Sequence, residues 1–144
     1  MSNEIERKFL VKHVPKNLFG YKINQGYLQS EKHRTVRIRT TEENNNHKGY
    51  ITIKGASNDS GLSRYEFETE IPINEANHML KLCDLPIIEK TRYIYETKLV
   101  KWEIDEFHGV NSGLVVAEVE LSREKQKIKI PAFIYKEVTG IKKY

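Results

Sequence analysis

The stretch Glu4-Ile5-Glu6-Arg7-Lys8 near the N-terminus indicates both the kind of fold and the kind of site. Side chains of an extended strand alternate between two faces, so Glu4, Glu6 and Lys8 point one way while Ile5 and Arg7 point the other. At roughly 3.3 Å per residue, the shared face carries two carboxylates and an ammonium group within about 14 Å. One strand face can therefore hold a metal cation and an anion side by side.

The composition favours a single intracellular domain with an anionic partner. The chain has 144 residues, enough for one core, so we predict one domain over residues 1–144. Its 24 basic and 20 acidic residues give a net charge of +4, which favours an anion without making the chain a simple polycation. Cys83 is the single cysteine, which excludes an intrachain disulfide and fits a reducing cytoplasm. We expect no signal peptide and no membrane partner, because no apolar run is long enough.

Most segments alternate polar and apolar residues with a period of two, the pattern of short antiparallel strands. The predicted strands span residues 3–11, 22–30, 34–41, 49–54, 63–71, 90–97, 100–107 and 114–121. Residues 44–49 and 55–61 have the composition of hairpin loops. Eight strands suffice to close a barrel without exposed edges, so we predict a mainly β (α+β) fold built on an eight-stranded antiparallel barrel.

Two segments break the strand pattern. Residues 75–83 have apolar residues at helical spacing, with Asn74 as a candidate N-cap, and Pro86 prevents the helix from continuing. We expect this helix to pack against the outside of the sheet. Residues 132–138 follow Pro131 and are predicted to form one or two helical turns.

Charged residues recur on one face of many predicted strands. The pairs at alternate positions are Glu4/Glu6, Glu66/Glu68 and Glu118/Glu120 for the carboxylates, and Arg37/Arg39 and Lys90/Arg92 for the bases. Taken singly, each strand is an ordinary half-buried strand with a hydrated charged face. Taken together, the carboxylate pairs repel and need a cation, and a closed sheet would bring both signs into one lumen. We infer a tunnel with an acidic part for a metal and a basic part for an anion.

The donor types indicate which metal the acidic part would hold. Carboxylate oxygens without a His/Cys cluster favour Mg²⁺ or Mn²⁺ over a structural zinc ion. The five histidines are scattered along the chain and are interpreted as exposed polar residues.

With these motifs in order, the chain resembles the CYTH superfamily, also called triphosphate tunnel metalloenzymes. The Glu-x-Glu-x-Lys signature stands at Glu4-Ile5-Glu6-Arg7-Lys8. The other motifs follow in family order: Val36-Arg37-Ile38-Arg39, Thr52-Ile53-Lys54, Glu66-Phe67-Glu68, Lys90-Thr91-Arg92-Tyr93, Trp102-Glu103-Ile104-Asp105, Ala117-Glu118-Val119-Glu120 and Glu137-Val138-Thr139-Gly140. The resemblance covers essentially the whole chain and implies an eight-stranded tunnel that hydrolyses a triphosphate with a divalent metal.

The resemblance also implies a role for each matching residue. The metal ligands would be Glu4, Glu6, Glu118 and Glu120, and the phosphate cradle would be Lys8, Arg37, Arg39, Lys54, Lys90 and Arg92. Glu66, Glu68 and Asp105 would act with Lys8 in catalysis by orienting a second metal or the attacking water. Lys136 would reach the substrate from a short C-terminal plug helix. The ending Ile141-Lys142-Lys143-Tyr144 departs from the usual family pattern, which predicts a shorter or looser plug.

The leading functional hypothesis is metal-dependent hydrolysis of inorganic triphosphate to pyrophosphate and phosphate. The alternatives on the same site are a class IV-type adenylate cyclase and a thiamine or nucleoside triphosphatase. An alternative of another class is a non-catalytic module that binds polyphosphate or RNA. Acidic clusters argue against nucleic acid as the partner, and the sequence leaves a homodimer open.

Overall fold

The structure is a computed structural model that describes residues 3–141 and 143–144. Met1, Ser2 and Lys142, which belong to the predicted domain and chain end, lie outside the described residues. The strands are β1 (Asn3–Val11), β2 (Gly20–Glu31), β3 (Arg34–Glu43), β4 (Asn46–Ser57), β5 (Ser63–Ile71), β6 (Ile88–Glu96), β7 (Lys101–Phe107), β8 (Val115–Glu120) and β9 (Ile134–Glu137). One helix, α1 (Ile73–Leu80), and a 3-10 turn (Gly109–Asn111) complete the regular elements of the described chain.

Strands β1 to β8 form the predicted closed antiparallel barrel. Their order is β5-β4-β3-β2-β6-β7-β8-β1, and β5 pairs with β1 to close it. This closing seam is short, because only Asn3, Glu4 and Ile5 of β1 pair with β5. Further along β1, the edge that β5 leaves open is taken by β9, which adds a ninth strand. The barrel is therefore closed by two different strands along one edge.

The apolar faces of the strands point away from the lumen, so the main cores lie outside the barrel. One buried cluster covers β1, β7 and β8 and extends to the segment that leads into β9. It comprises Phe9, Trp102, Ile104, Ala117, Val119, Leu121 and Phe133. The faces that point inward are consequently charged, as the alternation predicted.

Helix α1 covers a second apolar cluster on β3 and β4, on the outside of the sheet as expected. Ala76 of α1 packs so closely on Gly49 that a Cβ atom at Gly49 would lie 2.5 Å from the Ala76 Cβ. Cys83 is buried in the same cluster, together with Ile38. The helix begins earlier than predicted, because Pro72 and not Asn74 occupies the N-cap position. No helix in the described part of the chain is long and apolar enough to cross a membrane.

The predicted C-terminal plug helix is wrong: residues 134–137 form strand β9. The physical reason is the open edge of β1, whose backbone groups need partners. The amide of Val138 donates to the carbonyl of Lys8 at 2.8 Å, and the amide of Lys12 donates to the carbonyl of Phe133 at 2.9 Å. Phe133 and Val138 are both buried, which fixes the strand at its two ends.

The predicted 44–49 loop is also shorter than expected. Only Asn44 and Asn45 form the turn, both with left-handed backbone (φ 51° and 64°), and β4 begins at Asn46. Asparagine tolerates this conformation better than most residues, and two such residues in succession are typical of a tight hairpin. The β3–β4 hairpin therefore runs unbroken to one mouth of the barrel.

Candidate active site

The barrel encloses a charged cavity of about 800 Å³. Most of the predicted site residues line it, namely Glu4, Glu6, Arg37, Arg39, Lys54, Glu66, Glu68, Arg92, Glu118 and Glu120. They come from six different strands and meet only because the sheet closes. The structure thus brings together the acidic and basic faces that the sequence placed on separate strands.

Four predicted residues do not line this cavity. Lys90 and Asp105 are buried and are not among the lining residues, with Lys90 Nζ 2.7 Å from Asp105 Oδ2. Lys8 Nζ donates to the carbonyl of Tyr144 at 3.0 Å. Lys136 is an exposed residue of β9, because the helix that was to carry it into the tunnel is absent from the described chain.

Glu6 and Glu118 form the most strongly perturbed pair in the cavity. Burial, the charge of Glu118 and a hydrogen bond to Glu118 raise the pKa of Glu6 to about 10. Burial alone would raise the pKa of Glu118 as well, but its hydrogen bond with Glu6 and the charges of Lys8 and Lys90 lower it overall. Two carboxylates in contact cannot both stay ionised without a cation, so this pair shares one proton.

Glu4 is held by bases of β4 and β5. Lys54 Nζ donates to Glu4 Oε1 at 2.8 Å and to Oε2 at 3.0 Å, and Arg64 Nε lies 3.6 Å from Oε1. Burial raises the pKa of Glu4, but the charge and hydrogen bonds of Lys54 lower it overall, so this carboxylate is ionised. Burial and the negative charge of Glu4 raise the pKa of Glu120.

These carboxylates fit a divalent cation by their chemistry. Glu4, Glu6, Glu118 and Glu120 offer hard oxygen donors on one side of the cavity, the donor type that Mg²⁺ and Mn²⁺ prefer. The proton shared by Glu6 and Glu118 marks where a cation would relieve repulsion. Within residues 3–141 and 143–144, no three His, Cys, Asp or Glu side chains already stand as a metal-binding group.

The two arginines of β3 form the opposite, basic wall. Arg39 donates from Nε and Nη2 to Gln25 Oε1, at 3.2 and 3.0 Å. Arg37 Nη2 donates to Thr52 Oγ1 at 3.2 Å and lies 3.4 Å from Glu68 Oε1. Arg37 Nε is buried without a hydrogen-bond partner among the described residues. Both guanidinium groups therefore keep N–H donors free for the oxygens of an anion.

Arg92 is held in a different way. Its Nε and Nη2 donate to the two carboxylate oxygens of Asp105, at 2.8 and 2.9 Å, and Nη1 lies 3.4 Å from Glu103 Oε1. Burial lowers the pKa of Arg92, but these hydrogen bonds raise it overall. Burial lowers the pKa of Lys90, to about 8, in spite of Asp105. Asp105 therefore pairs with two bases, Arg92 of the cavity lining and the buried Lys90.

Several lining or supporting residues were not predicted. Gln25 and Thr52 are almost fully buried and hold the β3 arginines, and Tyr21 lines the cavity beside Arg92. Glu103, which was not among the predicted site residues, lines the cavity too. Alternation does place Thr52 on the face of Lys54, but uncharged residues give no signal of a site. The lining residues that were predicted are all charged.

Comparison with known proteins identifies the class to which this fold and site belong. The family model of the CYTH domain matches residues 2–143. The chain belongs to the CYTH domain family.

Individual relatives give a more specific likeness. The chain is 46% identical over 147 residues to an inorganic triphosphatase of Acetivibrio thermocellus, covering 100% of this chain and 90% of the relative. It is 32% identical to an inorganic triphosphatase of Nitrosomonas europaea, covering 98% and 92%. A crystal structure of the inorganic triphosphatase NE1496 is similar with a TM-score of 0.67 and 29% identity, covering 100% of this chain and 91% of that one.

Proposed function

We propose that the protein is an inorganic triphosphatase that hydrolyses tripolyphosphate to pyrophosphate and phosphate within the barrel. The observation that carries the proposal is one cavity lined by both carboxylates and bases. Glu4, Glu6, Glu118 and Glu120 form its acidic wall, and Arg37, Arg39, Lys54 and Arg92 form its basic wall; the two walls meet where Lys54 contacts Glu4. Phosphoryl transfer requires mainly positioning and charge neutralisation, and this arrangement supplies both. Relatives of nearly equal length carry the same activity in their names.

The acidic wall is proposed to hold Mg²⁺ or Mn²⁺ through Glu4, Glu6, Glu118 and Glu120. A bound divalent cation supplies charge neutralisation of phosphate oxygens and a water of lowered pKa. On cation binding, Glu6 and Glu118 would release the proton that they share, because a bound cation requires both carboxylates to be ionised.

The basic wall is proposed to orient the phosphate chain. Arg37 and Arg39 would donate their free N–H groups to phosphate oxygens, and Lys54 would act as a point charge. Lys54 also lies 3.5 Å from Glu66, so an arriving anion would compete with the carboxylates that now hold the lysine. Glu66 and Glu68 are proposed to orient the attacking water. Lys8, Lys90 and Asp105, which do not line the cavity, are proposed to act by fixing the charges of residues that do.

The partner of the site is thus a small triphosphate, and we propose no nucleic-acid partner. The cytoplasm is the proposed location, since the single Cys83 is buried and free.

The test is phosphate release from tripolyphosphate, ATP, GTP and thiamine triphosphate with Mg²⁺ or Mn²⁺, together with a check for cyclic AMP. We expect tripolyphosphate to be the preferred substrate. Glu6→Gln removes a carboxylate with little change of shape and should lower kcat/KM by at least about 100-fold, because it weakens neutralisation of the transition state.

Glu31→Gln is the matched control, since it makes the same change at an exposed position outside the cavity. It should retain wild-type activity. Absence of phosphate release by the wild type would refute the proposed function. Equal activity of Glu6→Gln and wild type would refute the acidic wall as the site. Cyclic AMP as the main product would favour a cyclase.

A further inference from the structure

Two arginines of the cavity are held through the same two nitrogen atoms but by partners of different charge. Arg92 uses Nε and Nη2 to bind both oxygens of Asp105, which is ionised. Arg39 uses the same two nitrogens to bind one neutral oxygen, Gln25 Oε1. Gln25 lies opposite Arg39 in the β2–β3 register and is only 5% exposed. The partner of Arg39 is therefore neutral because this buried position carries a glutamine and not an acidic residue.

The neutral partner leaves Arg39 without a direct ion pair. Among the described residues Arg39 forms no ion pair with a carboxylate, whereas Arg37 and Arg92 each form at least one. Burial and the nearby charges of Arg37 and Arg92 lower the pKa of Arg39 to about 10, so the group remains protonated at neutral pH. A partly buried cation without a directly paired counterion is costly, and an anionic ligand reduces that cost.

The amide also fixes the direction of the free donors. A guanidinium group has five N–H donors, and Gln25 engages one on Nε and one on Nη2. The other donors are left on the planar group beside Thr41 and Tyr50, in the wall of the cavity. A planar, oriented donor set suits the tetrahedral oxygens of a phosphate chain.

We propose that Gln25 is a positioning residue that holds Arg39 in place without neutralising it, so that the full charge of Arg39 is available to the triphosphate. The proposal rests on the proposed function and assigns part of its substrate affinity to a residue outside the charged set. A glutamate would have the same length and would bind Arg39 at least as tightly. Only a neutral acceptor both fixes the arginine and leaves its charge for the substrate.

Three variants separate this role from a structural one. Gln25→Glu keeps the shape and adds a negative charge that pairs with Arg39. Gln25→Met keeps the approximate volume and removes the acceptor, so Arg39 loses its fixed direction. Asn24→Asp, on the exposed outward face of the same strand, adds the same charge away from the cavity and serves as the control.

Two measurements are made on each variant: steady-state hydrolysis of tripolyphosphate with Mg²⁺, and the shift of Tm that tripolyphosphate causes in the metal-free protein. For Gln25→Glu we expect an unliganded Tm no lower than that of wild type, a KM raised at least about tenfold with a smaller change in kcat, and a reduced ligand-induced shift. Gln25→Met should also raise KM. Asn24→Asp should behave as wild type in both measurements.

A folded Gln25→Glu protein with wild-type KM and wild-type Tm shift would overturn the proposal. If Gln25→Glu does not fold, a folded Gln25→Met with wild-type KM would overturn it equally. The Tm shift needs no turnover, so it tests Gln25 even if tripolyphosphate proves not to be hydrolysed. A wild type that hydrolyses tripolyphosphate while Gln25→Glu is unaffected contradicts the role of Gln25 alone. A wild type that neither hydrolyses nor binds tripolyphosphate contradicts both proposals.

Discussion

The contact between Glu6 and Glu118 places two carboxyl groups where only one can be ionised. The proton they share stabilises the metal-free fold, because the unfolded chain would lose it near the usual pKa of 4.5 whereas the folded chain keeps it up to a pKa of about 10. Between these values the folded state binds the extra proton. Stability from this group is therefore present at low pH and is lost as the pH rises.

We predict that the metal-free protein loses stability between pH 5.5 and 7.5 by up to about 1 kcal/mol per pH unit through Glu6. Glu6→Gln cannot ionise, so its free energy of unfolding should depend less steeply on pH. Urea denaturation at three pH values with a chelator measures both slopes. This pH range lies below the lowered pKa of Lys90, about 8, so Lys90 contributes little to the change of stability with pH. Parallel slopes for the two proteins would contradict the shared proton.

Thr52 links the acidic and basic residues of neighbouring strands. Its hydroxyl group donates to Glu68 Oε1 at 2.6 Å and accepts from Arg37 Nη2 at 3.2 Å, and the side chain is 1% exposed. Arg37, Thr52 and Glu68 lie in one row across β3, β4 and β5. A hydroxyl group in this position orients both charged neighbours.

Thr52→Val keeps the shape of the side chain but removes both hydrogen bonds, so we expect kcat/KM for tripolyphosphate to fall roughly tenfold. Thr52→Ser keeps the hydroxyl and should retain most of the activity, although it loses a buried methyl group. Steady-state kinetics on the two variants measures the difference. Equal kcat/KM values for the valine and serine variants would show that the hydroxyl has no role in positioning.

Alternation along the strands was sufficient to predict which charged residues share a face, but not how deep each lies. Glu4 and Glu6 line the cavity as expected, whereas Lys8 on the same face reaches the chain end at Tyr144. Depth depends on the stagger of neighbouring strands, which only the closed sheet fixes. Gln25 was not predicted, because the sequence alone does not distinguish a buried amide that supports an arginine from one that supports a turn.

The strands themselves were predicted well because each has a charged and an apolar face. β1 and β5 match their predicted bounds, and α1 lies within three residues of its predicted limits. β9 was missed because its formation depends on the edge of β1, more than 120 residues earlier in the chain. Local pattern carries no information about an edge that another strand leaves open.

The segment that leads into β9 is anchored by Phe133, whose ring packs edge-on against Tyr95 at 5.3 Å and Trp102 at 6.3 Å between centroids. We predict that Phe133→Ala lowers the free energy of unfolding by about 3 to 5 kcal/mol, as expected for a buried aromatic residue. Tyr135→Ala, two residues further and 67% exposed, should change it by less than about 0.5 kcal/mol. Urea denaturation compares them. Similar losses from both variants would contradict the packing of this segment.

The molecule as a whole is a barrel with its cores on the outside. The lumen is lined by charged residues, and the apolar clusters lie between the barrel and the elements that cover it, α1 on one side and the C-terminal segment on another. Most large buried side chains therefore stabilise the fold from outside the barrel and do not fill the tunnel. A lumen of opposed charges is stabilised when a cation and an anion enter together, which is what hydrolysis of a triphosphate requires.

Phosphorus NMR directly follows the fate of tripolyphosphate that is incubated with the wild-type protein and Mg²⁺ or Mn²⁺. The tunnel with its two charged walls predicts that the tripolyphosphate signals disappear while pyrophosphate and phosphate appear in equal amounts, and that a chelator stops the reaction. Persistence of tripolyphosphate with either metal, or undiminished cleavage after chelation, would contradict metal-dependent triphosphate hydrolysis in the barrel.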